Sequence, residues 1–227
     1  MAVDLQASID MLSKIDWEVV KGKVKDYAPV FTVIRKTWSN ETLKEIMDGK
    51  VFVPDDMLNE MLTKNISEES QITALKVTSR DTGRLDIYAE TKKLGRLEFS
   101  GTIEECIHNA EGTHISYRVR ERELLDHGLG SWIFSRISLS MTQKIMGGIR
   151  FSDEVPTKIR HNTITVDLTK VLEASELAKT EFRGYRLIDM VEIEGAKPKQ
   201  GGIEIDTKLN VPDEVKSSLL DILKSSY

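Results

Sequence analysis

"ITALKVTSRDTGRLDIYAETKKLGRLEFSGTIEECIHNAEGTHISYRVRERELL", residues 72–125, is the stretch on which the fold turns. Its apolar residues return at every second position, in Leu85, Ile87, Ala89 and again in Leu97, Phe99, Gly101, Ile103. A period of two is that of a strand with one face buried and one in water. Turn-forming clusters at Asp81–Gly83, Lys93–Gly95 and Asn109–Gly112 divide the stretch into four strands. Such short connections predict an antiparallel meander, because parallel neighbours need a long crossover. Within it, "RVRERE", Arg118 to Glu123, alternates as a solvated strand face should.

Upstream, the period changes from two to that of a helix. From Asp4, the residues Leu5, Ile9, Leu12, Ile15, Val19 and Val20 recur at the spacing of an amphipathic helix that runs on to Tyr27 and stops before Pro29. Ser39 or Asn40 caps a second helix with Leu43, Ile46 and Met47 inward and Gly49 as its stop. In a third, Pro54 suits the first turn, Asp55 and Asp56 suit the positive end of the dipole, and Met57, Leu58, Met61 and Leu62 form the apolar face. Downstream, "KIRHNTITVDL" reads as one strand, "TKVLEASELAKT" as a short helix, and residues 185–211 as two strands around a Lys197–Gly202 turn. Pro212 then opens a helix carrying Val215, Leu219, Leu220 and Leu223. The order predicts an α+β fold, divided into an N-terminal helical segment over 1–50 and an antiparallel α+β domain over 51–227.

Between the two strand regions lies "GLGSWIFSRISLSMTQKIMGG", residues 128–148, in which Arg136 is the only charge before Gln143. On a helical wheel Leu129, Ile133, Ile137, Met141 and Ile145 form one stripe, and Trp132, Leu139 and Met146 another beside it. Ser131, Ser135, Ser138 and Thr142 fall on a third, where small hydroxyl residues permit close approach. A helix apolar on so many sides does not lie on the surface of a monomer. The expectation is therefore a curved antiparallel sheet wrapped around a long apolar helix from about Leu129 to Met146, with N-terminal helices and a C-terminal helix. That helix is either closed core, or lines a groove for an apolar ligand, or meets a second copy.

The order of these elements, with "LNEML" (Leu58–Leu62) followed by "GRLDIYAETKKLGRLEFSGTI", a helix and further strands, resembles the small bacterial lipid-binding proteins of the tubular lipid-binding (TULIP-like) superfamily. The resemblance spans roughly residues 50–210 and carries no diagnostic motif, so it transfers no functional residue. It implies a curved sheet around a long helix with lipid chains in the apolar gap. Those relatives act outside the cytoplasm, whereas Asp4, Asp10, Asp16 and Glu18 interrupt what a secretory signal would need here.

The composition narrows the function further. With 37 acidic against 32 basic residues, interspersed and summing to −5, the chain has no positive field for a phosphate backbone, and no nucleic-acid partner is expected. A single cysteine, Cys106, forms no intrachain disulfide and fits a cytoplasmic location. No segment reaches the roughly 18 uninterrupted apolar residues of a spanning helix, so no integral membrane insertion is expected.

His108, His114, His127 and His161 lack ligand spacing, Cys106 has acidic neighbours that disfavour a thiolate, and neither glycine pair forms a phosphate loop. Glu192 with Glu194, and Glu204 with Asp206, place carboxylates on one strand face, as a cation site or a plain wet face would. No catalytic residue, metal ligand or cofactor is therefore assigned. The reading that remains is binding of a lipid, fatty acid or other elongated apolar ligand, lined by Trp132, Ile133, Phe134, Ile137 and Met141, with Arg136 at the mouth. The alternative is an interaction or scaffold module, homodimeric through the same helix.

Overall fold

The computed structural model describes residues 40–64, 66, 72–92, 95–126, 135–136, 138–141 and 155–224. Alternation and turns do their work as read: β2 (Ile72–Ser79), β3 (Leu85–Thr91), β4 (Gly95–Asn109) and β5 (Gly112–Leu124) are successive antiparallel strands, preceded by α1 (Asn40–Met47), β1 (Lys50–Pro54) and α2 (Asp55–Lys64). After them come β6 (Thr157–Arg160), β7 (Thr163–Asp167), the short helices α3 (Thr169–Glu173) and α4 (Glu176–Lys179), and a small hairpin of β8 (Glu181–Phe182) and β9 (Tyr185–Arg186). A 3-10 turn (Leu187–Met190), β10 (Val191–Lys199), β11 (Gly202–Leu209) and α5 (Asp213–Lys224) complete the order.

Nine strands make one antiparallel sheet in the order β1-β11-β10-β4-β5-β7-β6, with β3 also on β4 and β2 on β3. The fork is a consequence of length. β5 runs along one edge of the 15-residue β4, while the other edge takes β3 over Gly95–Gly101 and β10 at Ile193↔His108.

Gly101 is required where β4 and β5 meet most closely: a Cβ there would strike the Arg118 carbonyl and come within 2.8 Å of Cζ of Tyr117, whose ring lies across the gap. The Tyr117 hydroxyl donates to the Leu85 carbonyl at 2.7 Å, which satisfies the one polar atom this ring buries.

Two core clusters lie on the same face of the sheet, as β11 shows by carrying Ile203 to one and Leu209 to the other. The first gathers Leu43 and Ile46 of α1, Val215 and Leu219 of α5, and Phe182, Leu187 and Met190. The second gathers Leu85, Leu97, Phe99, Tyr117, Val119 and Leu124 from the sheet, with Leu58 and Leu62 of α2 packed against it. α2 also closes the free edge of β2. The Asn59 amide donates to the Val77 carbonyl at 2.9 Å and accepts from its N–H at 2.7 Å, as a neighbouring strand would. One turn earlier Asp55 accepts from the Ser79 N–H at 2.7 Å and hydroxyl at 2.6 Å.

Several expectations are corrected. The sheet is open and forked and is not wrapped around a long apolar helix: the longest helix among the described residues is α5, with 12 residues. Within the segment expected to be continuous from Leu129 to Met146, residues 135–136 and 139–141 are helical but Ser138 is not. The physical reason is the serine itself, whose hydroxyl and carbonyl both accept from the Met141 N–H, at 3.3 and 3.0 Å, and so start a fresh turn. "KIRHNTITVDL" is a hairpin, reversed at His161, which takes φ +53°, and Asn162. "TKVLEASELAKT" is two short helices divided at Ser175, whose hydroxyl caps the second by accepting from Ala178.

Candidate functional site

Between the two cores the inner face of the sheet is neither closed nor wet. Ile205 of β11 stands opposite Ala196 of β10, while Cys106 of β4 stands opposite Ile115 of β5, which in turn faces Val166 of β7. All five are half-buried, and none belongs to either cluster. Five strands at about 4.8 Å spacing give this apolar strip a length of roughly 20 Å.

On one side it borders the second core through Ile203, Ile103 and Ile164. On the other it borders a polar rim tied down by His108, whose ring nitrogens meet the Thr113 hydroxyl at 2.6 Å and the Ile188 carbonyl at 2.8 Å. A carbonyl only accepts, so Nε2 carries a proton and donates to Ile188. Both ring nitrogens of half-buried His108 thus have hydrogen-bond partners.

Local bulges set this arrangement. Glu104 in β4 and Glu194 in β10 lack partners across the ladder, and each extra residue returns the next apolar side chain, Cys106 or Ala196, to the inner face. A third bulge at Arg120 corrects the reading of "RVRERE" as a plain alternation. Beyond it Arg122 stands on the inner side, opposite Phe99, and burial lowers its guanidinium below its ordinary value.

The strip offers no activated nucleophile. Burial raises the Cys106 thiol, which keeps it protonated and unreactive. On the opposite, wet face Ser116 and His114 both turn to Glu105, at 3.2 and 3.5 Å, so the carboxylate takes the place that a serine–histidine pair would need.

A shallow cleft of about 250 Å³ is lined by Asp86, Glu98, Ser100, Glu121, Arg122 and Glu123. Two of its carboxylates meet arginines that do not line it. Burial pushes the Asp86 carboxyl up, but the Ser100 hydroxyl and the Arg80 guanidinium at 2.7 Å outweigh it and hold it below the usual carboxylate range. Glu121 lies 3.0 Å from Arg84.

The strand carboxylates singled out from the sequence meet lysines: Glu204 sits 2.8 Å from Lys50 and Glu192 3.5 Å from Lys208, while Glu194 falls in a bulge. Among the described residues no group of three or more metal-ligating side chains could hold an ion.

Of the six residues expected to line a groove, Trp132, Ile133, Phe134 and Ile137 lie outside the described residues. Arg136 and Met141 are exposed, Met141 by 53%, and it is Leu139 between them that is fully buried in the second core. The turn carrying Leu139 is held by the β6–β7 hairpin: Asn162 Oδ1 accepts from the Leu139 N–H and from Arg122, each at 3.1 Å, and the His161 carbonyl accepts from Ser140. None of the strip residues was read from the sequence as a binding surface, although an apolar spacing of three inside a strand marks two of them, Cys106 and Ala196. No helix among the described residues is long and apolar enough to cross a membrane. Compared with protein-family models, curated proteins and solved structures, the chain matches none.

Proposed function

We propose that the protein binds an elongated apolar ligand, a lipid or fatty acid, without catalysis, along the strip from Ile205 to Val166. The observation that carries this reading is the half-open row of five apolar side chains from five strands, lying between two closed cores on one face. A row about 20 Å long suits an extended chain better than a compact ring system. Each 100 Å² of apolar surface it covers contributes about 2.5 kcal/mol, so affinity needs little polar anchoring. This reading moves the ligand from a helix to the sheet and involves neither Met141 nor Arg136.

Native mass spectrometry of the purified protein, paired with mass analysis of an organic extract, tests it. A stoichiometric mass excess above 25.7 kDa matched by an extracted lipid is the expected result. Ile115→Ser, a half-buried site, should lose that excess while melting close to the parent. A bare chain that also takes up no added fatty acid refutes the reading.

A further inference from the structure

Among the described residues the sheet has three free edges, and two of them are defended. β2 is sealed by Asn59 and Asp55 of α2. β6 is four residues long, and pairing it with a second β6 through its outward positions 157 and 159 would set Lys158 against Lys158, a like-charge contact.

Among the described residues β1 has no such device. Its ladder with β11 is bracketed by the Thr207 N–H on the Gly49 carbonyl and the Asp55 N–H on the Gly201 carbonyl. Odd residues therefore bond to β11, and the backbone groups of Lys50, Phe52 and Pro54 point outward. Among the described residues no strand pairs with β1 on that side. Phe52 is 45% exposed, with one side of its ring laid over Gly202, where a Cβ would collide with it.

We propose that β1 is a homodimer edge, at which two copies of this chain pair antiparallel about Phe52 and continue one sheet into the next. The occupant is argued from complementarity. Centred on Phe52, the pairing aligns all three outward positions: Phe52 faces Phe52, and Lys50 faces Pro54 of the second copy. No like charges meet, and Lys50 is already neutralised by Glu204 at 2.8 Å. The two Phe52 residues exchange two hydrogen bonds, and each Lys50 N–H donates to a Pro54 carbonyl, giving two more. Proline lacks an N–H, which ends the ladder there. Strands of five residues bury less than the roughly 800 Å² per partner of a standard interface, so the pairing is reversible on dilution. This inference does not depend on the proposed ligand.

Sedimentation equilibrium and amide hydrogen exchange over a dilution series test it together. The weight-average mass should climb from 25.7 kDa toward twice that value, and exchange at the Phe52 amide should slow about tenfold once most chains are paired. Phe52→Pro removes the outward donor without touching the β11 ladder. It should stay monomeric while the Ile203 and Ile205 amides, which bond to β1, keep their protection. A parent that is monomeric throughout, with Phe52 exchange independent of concentration, overturns the proposal. So does a dimer that survives Phe52→Pro with β1 intact. If proline disturbs β1, the exchange series on the parent protein decides alone.

Discussion

Asn59→Ala removes both hydrogen bonds that close the outer edge of β2 at Val77, and its cost follows from the geometry. Val77 is only 8% exposed, and its N–H and carbonyl bond the Asn59 amide at 2.7 and 2.9 Å. A buried backbone group left without a partner costs about 1–3 kcal/mol. Water reaches an edge more easily than a core, which places each group near the lower end and the pair at about 2–3 kcal/mol. Alanine returns about 0.5 kcal/mol through its better helix propensity, leaving a net loss near 2 kcal/mol. For a chain of this size that lowers Tm by about 4–8 °C.

Urea denaturation monitored by circular dichroism reads the loss as a lower midpoint at unchanged slope. Asn59→Asp sharpens the test. The carboxylate keeps the acceptor for the Val77 N–H but sets a negative oxygen against the Val77 carbonyl, whereas its protonated form donates there as the amide did. The folded pKa of this aspartate is then raised above the unfolded value of about 3.9, so its stabilising bond is present at low pH and lost as pH rises through the folded pKa. The Asp variant should recover relative to the parent below about pH 4. An Ala variant within about 0.5 kcal/mol of the parent, or an Asp variant whose deficit ignores pH, refutes the idea that this amide stands in for a strand.

Gly101→Ala should cost about 3 kcal/mol or more, since the added Cβ meets the Arg118 backbone rather than a side chain that can swing away; a melt unchanged within 2 °C would contradict this. The carboxyl of Asp86, lowered on balance by Ser100 and Arg80, contributes stability above about pH 4 that is lost as pH falls through its folded pKa. Asp86→Asn should therefore trail the parent at pH 7 in urea midpoints and converge with it in acid, and a gap constant with pH would dismiss the pairing. Asn162→Ala should speed exchange at the Leu139 amide and cost about 1–2 kcal/mol, because two donors lose one acceptor; equal exchange would mean the turn is held by other contacts.

Much of the sheet was legible because alternation and turn chemistry agree: the hairpins at Asp81–Gly83 and Asn109–Gly112, and the β10–β11 reversal, fall where glycine, asparagine and aspartate cluster. β1 was hidden by its brevity and by Pro54, which reads equally well as the first turn of a helix or the last residue of an edge strand. The helix expected around Leu129–Met146 failed for a different reason. A wheel registers side chains only, whereas serine competes for the backbone, and Ser138 and Ser175 each end one helical pattern and start another.

The strip was written in the sequence in a form that strict alternation discards. Ile103 to Cys106 and Ile193 to Ala196 are spacings of three inside runs of two, and Val119 to Leu124 is a spacing of five. A strand cannot keep such residues on one face unless it carries an extra residue, and each interval contains one: Glu104, Glu194 and Arg120. Two of these bulges place Cys106 and Ala196, small side chains, where β4 and β10 cross the gap between the cores, so the sheet bends there with less apolar volume above it. The same two residues that interrupt the alternation thus lower the floor on which an extended apolar chain would lie. Filling it should distinguish a binding surface from unfinished core: Ala196→Leu adds apolar volume to the strip and should raise Tm by a few degrees while abolishing the lipid mass excess, whereas a variant that retains its lipid places the ligand elsewhere.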